Sequence, residues 1–259
     1  MTQTDGRPRR LSAGWSSRPI GANRRSRWWR ELALVAVFYA VYDAIRGLIG
    51  GGSAQAQRDG RDLLRWEQLF HLDPEHWLND HLQHLAVLAV PACFFYATLH
   101  FLVTPGVLIW TYRARPAAYA RARTVLALIT AAALVGFWRF PTAPPRLLNG
   151  ASFYDTLARF SGWGWWGSDA SVPAGATAIA NQFAAMPSLH LAWAAWCGAT
   201  VYRLTQRTWV RVLAIAYPVL TALVVVGTAN HYLLDVLAGA ALWAAAEVVV
   251  RQTRQGSRA

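Results

Sequence analysis

Six apolar runs, near residues 31–50, 83–111, 121–139, 186–202, 209–228 and 231–249, reach or approach the length of about 20 residues that an α-helix needs to cross a bilayer. A soluble domain of this length would show amphipathic segments instead, and the 259 residues are 55% hydrophobic and only 15% charged. The expected fold is therefore all-α, a polytopic membrane protein with six transmembrane helices and both termini on one side. The second run is too long for one straight crossing, and Pro91 and Pro105 within it predict a kinked or tilted helix.

Arginine placement tests this layout independently. The chain has no lysine; all 25 basic residues are arginines. Eighteen of them fall before residue 31, in 112–124, in 203–211 and after 250, segments that an even number of crossings places together. Five, Arg58, Arg61, Arg65, Arg146 and Arg159, fall in the opposite loops. The excess of positive charge marks the cytoplasmic side. It also accounts for the net charge of +12 without nucleic acid, because the arginines follow the inner membrane edge and do not gather on one face. Three parts result: an arginine-rich disordered tail over 1–30, a membrane domain over 31–250, and a short cytoplasmic tail over 251–259. The basic start, first apolar run and SAQAQ at 53–57 also permit a signal peptide cut after Ala56. The length of the basic region and Asp43 and Arg46 within the run argue against it. Cys93 and Cys197 lie in apolar runs and imply no disulfide framework.

Two loops carry most of the outer side. In RDLLRWEQLF (61–70), Leu63, Trp66 and Phe70 share one helical face, with Arg61, Asp62, Arg65 and Glu67 elsewhere, which predicts a helix lying in the interface. In SGWGWWG, Trp163, Trp165 and Trp166 suit either a headgroup-level belt or the mouth of a lipid cleft.

Three polar clusters sit at the outer ends of apolar runs. His231 and Asp235 are four apart, so on a helix they share a face, and a carboxylate beside an imidazole prepares it as a nucleophile or base. In MPSLHLAW (186–193), Pro187 stands where a helix begins, Ser188 can cap it and His190 follows within one turn; such a start is an anion site. In RFPTAPPR (139–146), Arg139 and Arg146 flank a proline-stiffened turn and suit a doubly charged, many-oxygen ligand such as phosphate. Each cluster also has a purely structural reading, as satisfied histidines, snorkelling arginines or a helix-stabilising pair. Their coincidence on one side, in a chain sparing with charge, points to a phosphate-handling site.

Arg139-x6-Arg146, Pro187-Ser188-Leu189-His190 and His231-x3-Asp235 resemble, in order and combination, the three signature motifs of the type 2 phosphatidic acid phosphatase superfamily, K-x6-R-P, P-S-G-H and S-R-x5-H-x3-D. The wording FPTAPPRLL and AAMPSLH is more similar to the branch that includes inositol phosphorylceramide synthases, and the resemblance extends over roughly residues 60–250. It implies a membrane lipid phosphatase or phosphotransferase acting on a lipid phosphate or phospho-headgroup lipid. His231 would be the nucleophile that becomes phosphohistidine, Asp235 its orienter, His190 the general acid, and Arg139 and Arg146 the phosphate clamps, with no metal or other cofactor. The chain departs from the pattern at Arg139 (lysine in the family), Leu147 (proline) and Leu189 (glycine). The Ser-Arg of the third motif falls at Val224 and Val225, leaving Asn230 or Thr228 as neutral donors in its stead.

Two rival functions use the same residues otherwise. A six-helix transporter or scaffold would bind anionic lipid through these charges, and a metal hydrolase would be built on HLDPEHWLNDHLQH (71–84), where His81 and His84 are three apart with His76, Glu75 and Asp80 nearby. The layout itself is checked by tagging: a reporter after Ala259 is expected in the cytoplasm and a tag near residue 155 outside it. Both tags on one side would overturn the arrangement.

Overall fold

The computed structural model describes residues 53–166 and 182–256, with Trp29 and Ala33. The expected crossing at 31–50 and tail over 1–30, those two residues apart, lie outside the described residues, as do 167–181 and 257–259. The residues from 53 onward belong to one compact unit, Tyr39–Ala259. Its described residues form helices joined by loops, with an isolated strand-like bridge between Thr142 and Ala184.

The helices are α1 (Ser53–Leu69), α2 (Glu75–His84), α3 (Ala86–Ala114), α4 (Pro116–Arg139), a single turn α5 (Thr156–Arg159), α6 (Leu189–Leu204), α7 (Thr208–Gly227) and α8 (Leu233–Gly256). Four of them, α3, α4, α7 and α8, are long and apolar enough to cross a membrane. The run expected at 186–202 becomes α6, which at 16 residues falls short of that length. Its apolarity has a different cause. Leu191, Ala192, Ala194, Trp196, Cys197 and Thr200 are all buried, and α6 packs against α3, α4, α7 and α8 as the central helix of the bundle.

The expected kink in the second run is a π-helical turn at Phe95–Leu99, between Pro91 and Pro105. Each proline removes one backbone N–H and crowds the turn before it, and a π turn absorbs the resulting change of register. Cys93 and Cys197 are buried free thiols.

Helices α1 and α2 are built inside out. The face expected to meet the interface carries Trp66 and Phe70, which are 57% and 63% exposed, while Ala56 and Glu67 are wholly buried. On α2, Glu75, Asn79 and Gln83 form the buried stripe and Trp77 is exposed. Large apolar groups facing outward beside buried polar ones are the pattern of a surface that meets lipid and an inner face that meets helix ends. Asn79 shows the use of that inner face. Its amide donates to Tyr154 O, Thr156 Oγ1 and Gly227 O at 3.1, 3.1 and 3.0 Å, and its Oδ1 accepts from Tyr154 N at 2.8 Å. The tryptophan cluster also divides: Trp163 is exposed, whereas Trp166 is 2% exposed and donates to Leu157 O, so it is a core residue and no part of an interfacial belt.

At the opposite end of the bundle, Glu247 of α8 ties Arg121 of α4 and Arg203 of α6 in one ion-pair network, at 2.5 and 2.6 Å. At the near end the packing is closest where α8 passes the start of α6. A Cβ on Gly239 would lie 2.4 Å from the Ser188 carbonyl oxygen, a backbone atom that has no rotamer to escape into. Gly239→Ala is therefore expected to destabilise the protein by about 1–3 kcal/mol, read as a lowered midpoint of thermal unfolding in detergent. An unchanged midpoint would show that the two helices separate freely.

Candidate active site

The site is assembled at the corner between α7 and α8. Helix α7 ends in a Schellman motif: Ala229 N–H donates to Val226 O at 2.9 Å and Asn230 N–H to Val225 O at 3.0 Å, with Ala229 in the left-handed region at φ 56°. Glycine is the usual residue there, and an alanine is held at a cost of about 1–2 kcal/mol. The loop that follows is a single tight step. His231 N–H also donates to Val225 O, and α8 begins at Leu233.

Asp235, in the first turn of α8, folds back on that start. Its Oδ2 accepts the Tyr232 N–H at 3.0 Å and faces His231 Nδ1 at 3.4 Å. His231 thus precedes the helix, and the expected contact with Asp235 arises from a capping-box geometry and not from a shared helical face. His231 Nδ1 also lies 2.9 Å from the Ala185 carbonyl oxygen. A carbonyl only accepts, so Nδ1 carries the proton and Nε2 is left with its lone pair. That Nε2 faces His190 Nδ1 at 3.4 Å.

Ser188 is the N-cap of α6; its hydroxyl accepts the Leu191 N–H at 3.4 Å, and its own N–H donates to Asp235 O at 3.0 Å. The two helix starts are therefore pinned together, which brings His190 to His231. Behind His190 stand two residues that the motif reading missed. Tyr96 stacks on its ring at 4.6 Å between centroids, and His100 meets it edge-on at 4.4 Å. Tyr96 lies within the π turn of α3 and His100 directly follows it. His100 was findable, being a polar group at the middle of an apolar run.

Arg146 is the most constrained of the basic candidates, with 4% of its side chain exposed. Its Nε donates to Asn230 Oδ1 and one terminal nitrogen to Asp155 Oδ2, both at 2.9 Å, and its backbone N–H to Ala229 O. Asn230 in turn donates to Thr228 O and Oγ1, so this amide serves to orient Arg146. Asp155, another unforeseen member, also caps α5 through Ala158 N–H. Two of the five N–H donors of Arg146 are engaged by these side chains, and three remain for a ligand. Arg139, the last residue of α4, is exposed, and its side chain makes no hydrogen bond or ion pair among the described residues. Val225, where the resembled motif has arginine, is 1% exposed in the apolar core.

The histidines of 71–84 do not converge. His81 Nδ1 and His84 Nδ1 each turn to a carbonyl of their own helix, of Trp77 and Asp80, and Glu75 turns to α8. No group of three or more His, Cys, Asp or Glu among the described residues is placed to hold a metal ion.

A family model described as the PAP2 superfamily matches residues 61–249. No curated protein and no solved structure matches the chain.

The half-buried Arg146–Asp155 pair predicts a coupling measurable without turnover. In a double-mutant cycle of unfolding with Arg146→Ala and Asp155→Ala, the double variant is expected to be less destabilised than the sum of the singles by about 1–3 kcal/mol. Additivity would show that the contact contributes nothing to stability.

Proposed function

The chain belongs to the PAP2 superfamily, and from that premise we propose that it is a membrane enzyme that transfers a phosphoryl group or phospho-headgroup from a lipid through a phosphohistidine intermediate. Membership supports a phosphatase or phosphotransferase type of function. The observation that carries the finer reading is the tautomer of His231, whose Nδ1 is held by Ala185 O and Asp235 so that the lone pair of Nε2 faces His190.

In the first half-reaction, Nε2 of His231 attacks phosphorus and the bond from phosphorus to the leaving oxygen breaks. The proton on His190 passes to that oxygen, which leaves as an alcohol. Asp235 stabilises the positive charge that develops on His231. In the second half-reaction, water or an acceptor alcohol attacks the phosphorylated histidine, its proton goes to His190, and the phosphorus–nitrogen bond breaks. Arg146, through its remaining N–H groups, and Arg139, by turning inward from the rim, would bind the phosphoryl oxygens; the start of α6 at Ser188 adds the positive end of a helix dipole.

The departures from the family pattern, above all valine at position 225, favour the inositolphosphotransferase-like branch over a plain phosphatase. Together with 31–50 and α6, the four long helices would make a six-span layout. Both termini would then be cytoplasmic and the site would open on the extracytoplasmic face of the cell membrane, with lipid as substrate and neighbour.

The test is acid-labile, base-stable phosphate on the quenched enzyme, mapped by peptide sequencing after incubation with a panel of lipid phosphates and phosphoinositol lipids. His231→Ala is expected to abolish both turnover and labelling. His190→Ala should still form intermediate from an aryl phosphate, whose leaving group needs little protonation. Asp235→Asn should keep the fold and lose most of the rate. A label elsewhere, or full turnover in His231→Ala, would refute the mechanism and leave an anionic-lipid binding protein.

A further inference from the structure

Two glutamates that the mechanism does not use meet at the start of α8. Glu67 of α1 and Glu75 of α2 are both 0% exposed. Glu75 Oε1 accepts the Leu233 N–H at 2.5 Å and Glu67 Oε1 the Leu234 N–H at 2.6 Å. With Asp235 on the Tyr232 N–H, three consecutive backbone donors each have a different carboxyl group. The second oxygen of each glutamate, Oε2, is buried without a hydrogen-bond partner, and the two carboxyl groups are neighbours, since they cap the adjacent N–H groups of Leu233 and Leu234. Neither has an ion-pair partner among the described residues.

The groups facing them are acidic or neutral: Asp235 and its partner His231, Asp73 beside Glu75, and the buried Tyr232 phenol. If both glutamates were ionised, three buried negative charges would oppose one helix dipole worth about half a charge. One proton removes the conflict. Shared by the two carboxyls, it turns one of them into a donor and leaves a single negative charge.

We propose that Glu67 and Glu75 share a single proton as an acid–carboxylate pair, and that this pair is a positioning device that fixes the start of α8 and with it His231 and Asp235. Its catalytic consequence rests on the reaction proposed above; the pair itself does not. The device joins the two helices that show lipid their apolar faces to the residue that would carry the phosphoryl group. Burial, then the neighbouring Glu75, pushes the Glu67 carboxyl up to about 9, and burial raises that of Glu75. A carboxyl raised in the folded state keeps its proton after the unfolded chain has lost its own. The stability due to that proton is complete below about pH 4.5, declines as pH rises, and is gone above about pH 9, where the pair becomes doubly charged.

The experiment compares Glu67→Gln, Glu75→Gln and Glu67→Ala, each purified as the full chain in detergent at neutral pH. A glutamine keeps the backbone acceptor and donates its amide to the remaining carboxylate, so either Gln variant should hold the corner without a titrating proton. Infrared spectroscopy reads the carbonyl stretch of a protonated carboxylic acid: the wild type should show a band that either Gln substitution removes. Nitrogen-15 NMR of histidine-labelled protein reads the corner: the Nδ1–H tautomer of His231 should persist in both Gln variants and be lost in Glu67→Ala. Where turnover is measured, kcat should fall about a hundredfold in Glu67→Ala at unchanged KM, and within about threefold of wild type in the Gln variants. A wild type without the band, a band that survives either Gln substitution, or an unchanged His231 tautomer in Glu67→Ala would overturn the proposal. Failure of the phosphotransfer reading would silence only the kcat measurement and leave the two spectroscopic ones decisive.

Discussion

Hydrogen bonds that lipid cannot supply have to be found inside the protein, and the corner between α7 and α8 is where that demand is greatest. Two helix ends meet there across the five residues from Thr228 to Tyr232. The carbonyls that α7 leaves open are taken by Ala229, Asn230 and His231, while the first N–H groups of α8 are taken by Asp235, Glu75 and Glu67. Every polar side chain at the corner is thus assigned a place by the backbone before any chemistry is asked of it. Asp235 is the clearest case, since the oxygen that caps Tyr232 is the one that faces His231. A residue needed to end one helix and begin the next is also the residue that sets the tautomer of the candidate nucleophile.

That dependence explains why the loops matter more here than their sequences suggest. Asn79 fastens the 154–156 segment to the end of α7, and Gln57 fastens α1 to the 147–149 turn through Leu147 O and the Asn149 N–H. Tyr232, wholly buried, donates its hydroxyl to Ala143 O. The segments that carry Arg146 and Asp155 are therefore braced against the same corner that holds His231. In a shell of this kind a shift of one ångström in α1 is passed to the site through direct hydrogen bonds, with no long path of packed side chains between.

Hydropathy made the long helices legible, because a lipid-facing helix needs a run of apolar residues that few other structures require. Motif spacing made His190, Arg146, Asn230, His231 and Asp235 legible as a set, and the structure brings those five together with Ser188. It did so for partly different reasons: Asp235 reaches His231 as a cap, Ser188 serves α6 as its N-cap, and Asn230 orients Arg146. Arg139 is exposed at the end of α4. What could not be read was the inward face of α1 and α2. Trp66 and Phe70 are exposed, but Glu67, which the spacing placed off their face among the charged residues, is buried against the start of α8, because hydropathy does not register a polar side chain whose partner is a helix end. His100 and Tyr96 belong to no spaced motif, and only the polarity of His100 within an apolar run marks it.

The electrostatics of the site bear on what it would take. In the resembled third motif an arginine precedes the histidine by six positions; here Val225 fills that place, with its side chain in the apolar core and its carbonyl oxygen accepting from Asn230 and His231. Arg146 is already balanced by Asp155, and Asp235 balances His231 once that ring is charged. The positive charge free to meet a ligand is then Arg139, the partial charge at the start of α6 and, in the reaction proposed above, the protonated ring of His190. A phosphomonoester brings close to two negative charges at neutral pH, whereas a phosphodiester brings one. Those groups suffice to meet either charge, so the identity of the second nucleophile, water or an alcohol, is decided by access to the pocket and not by charge.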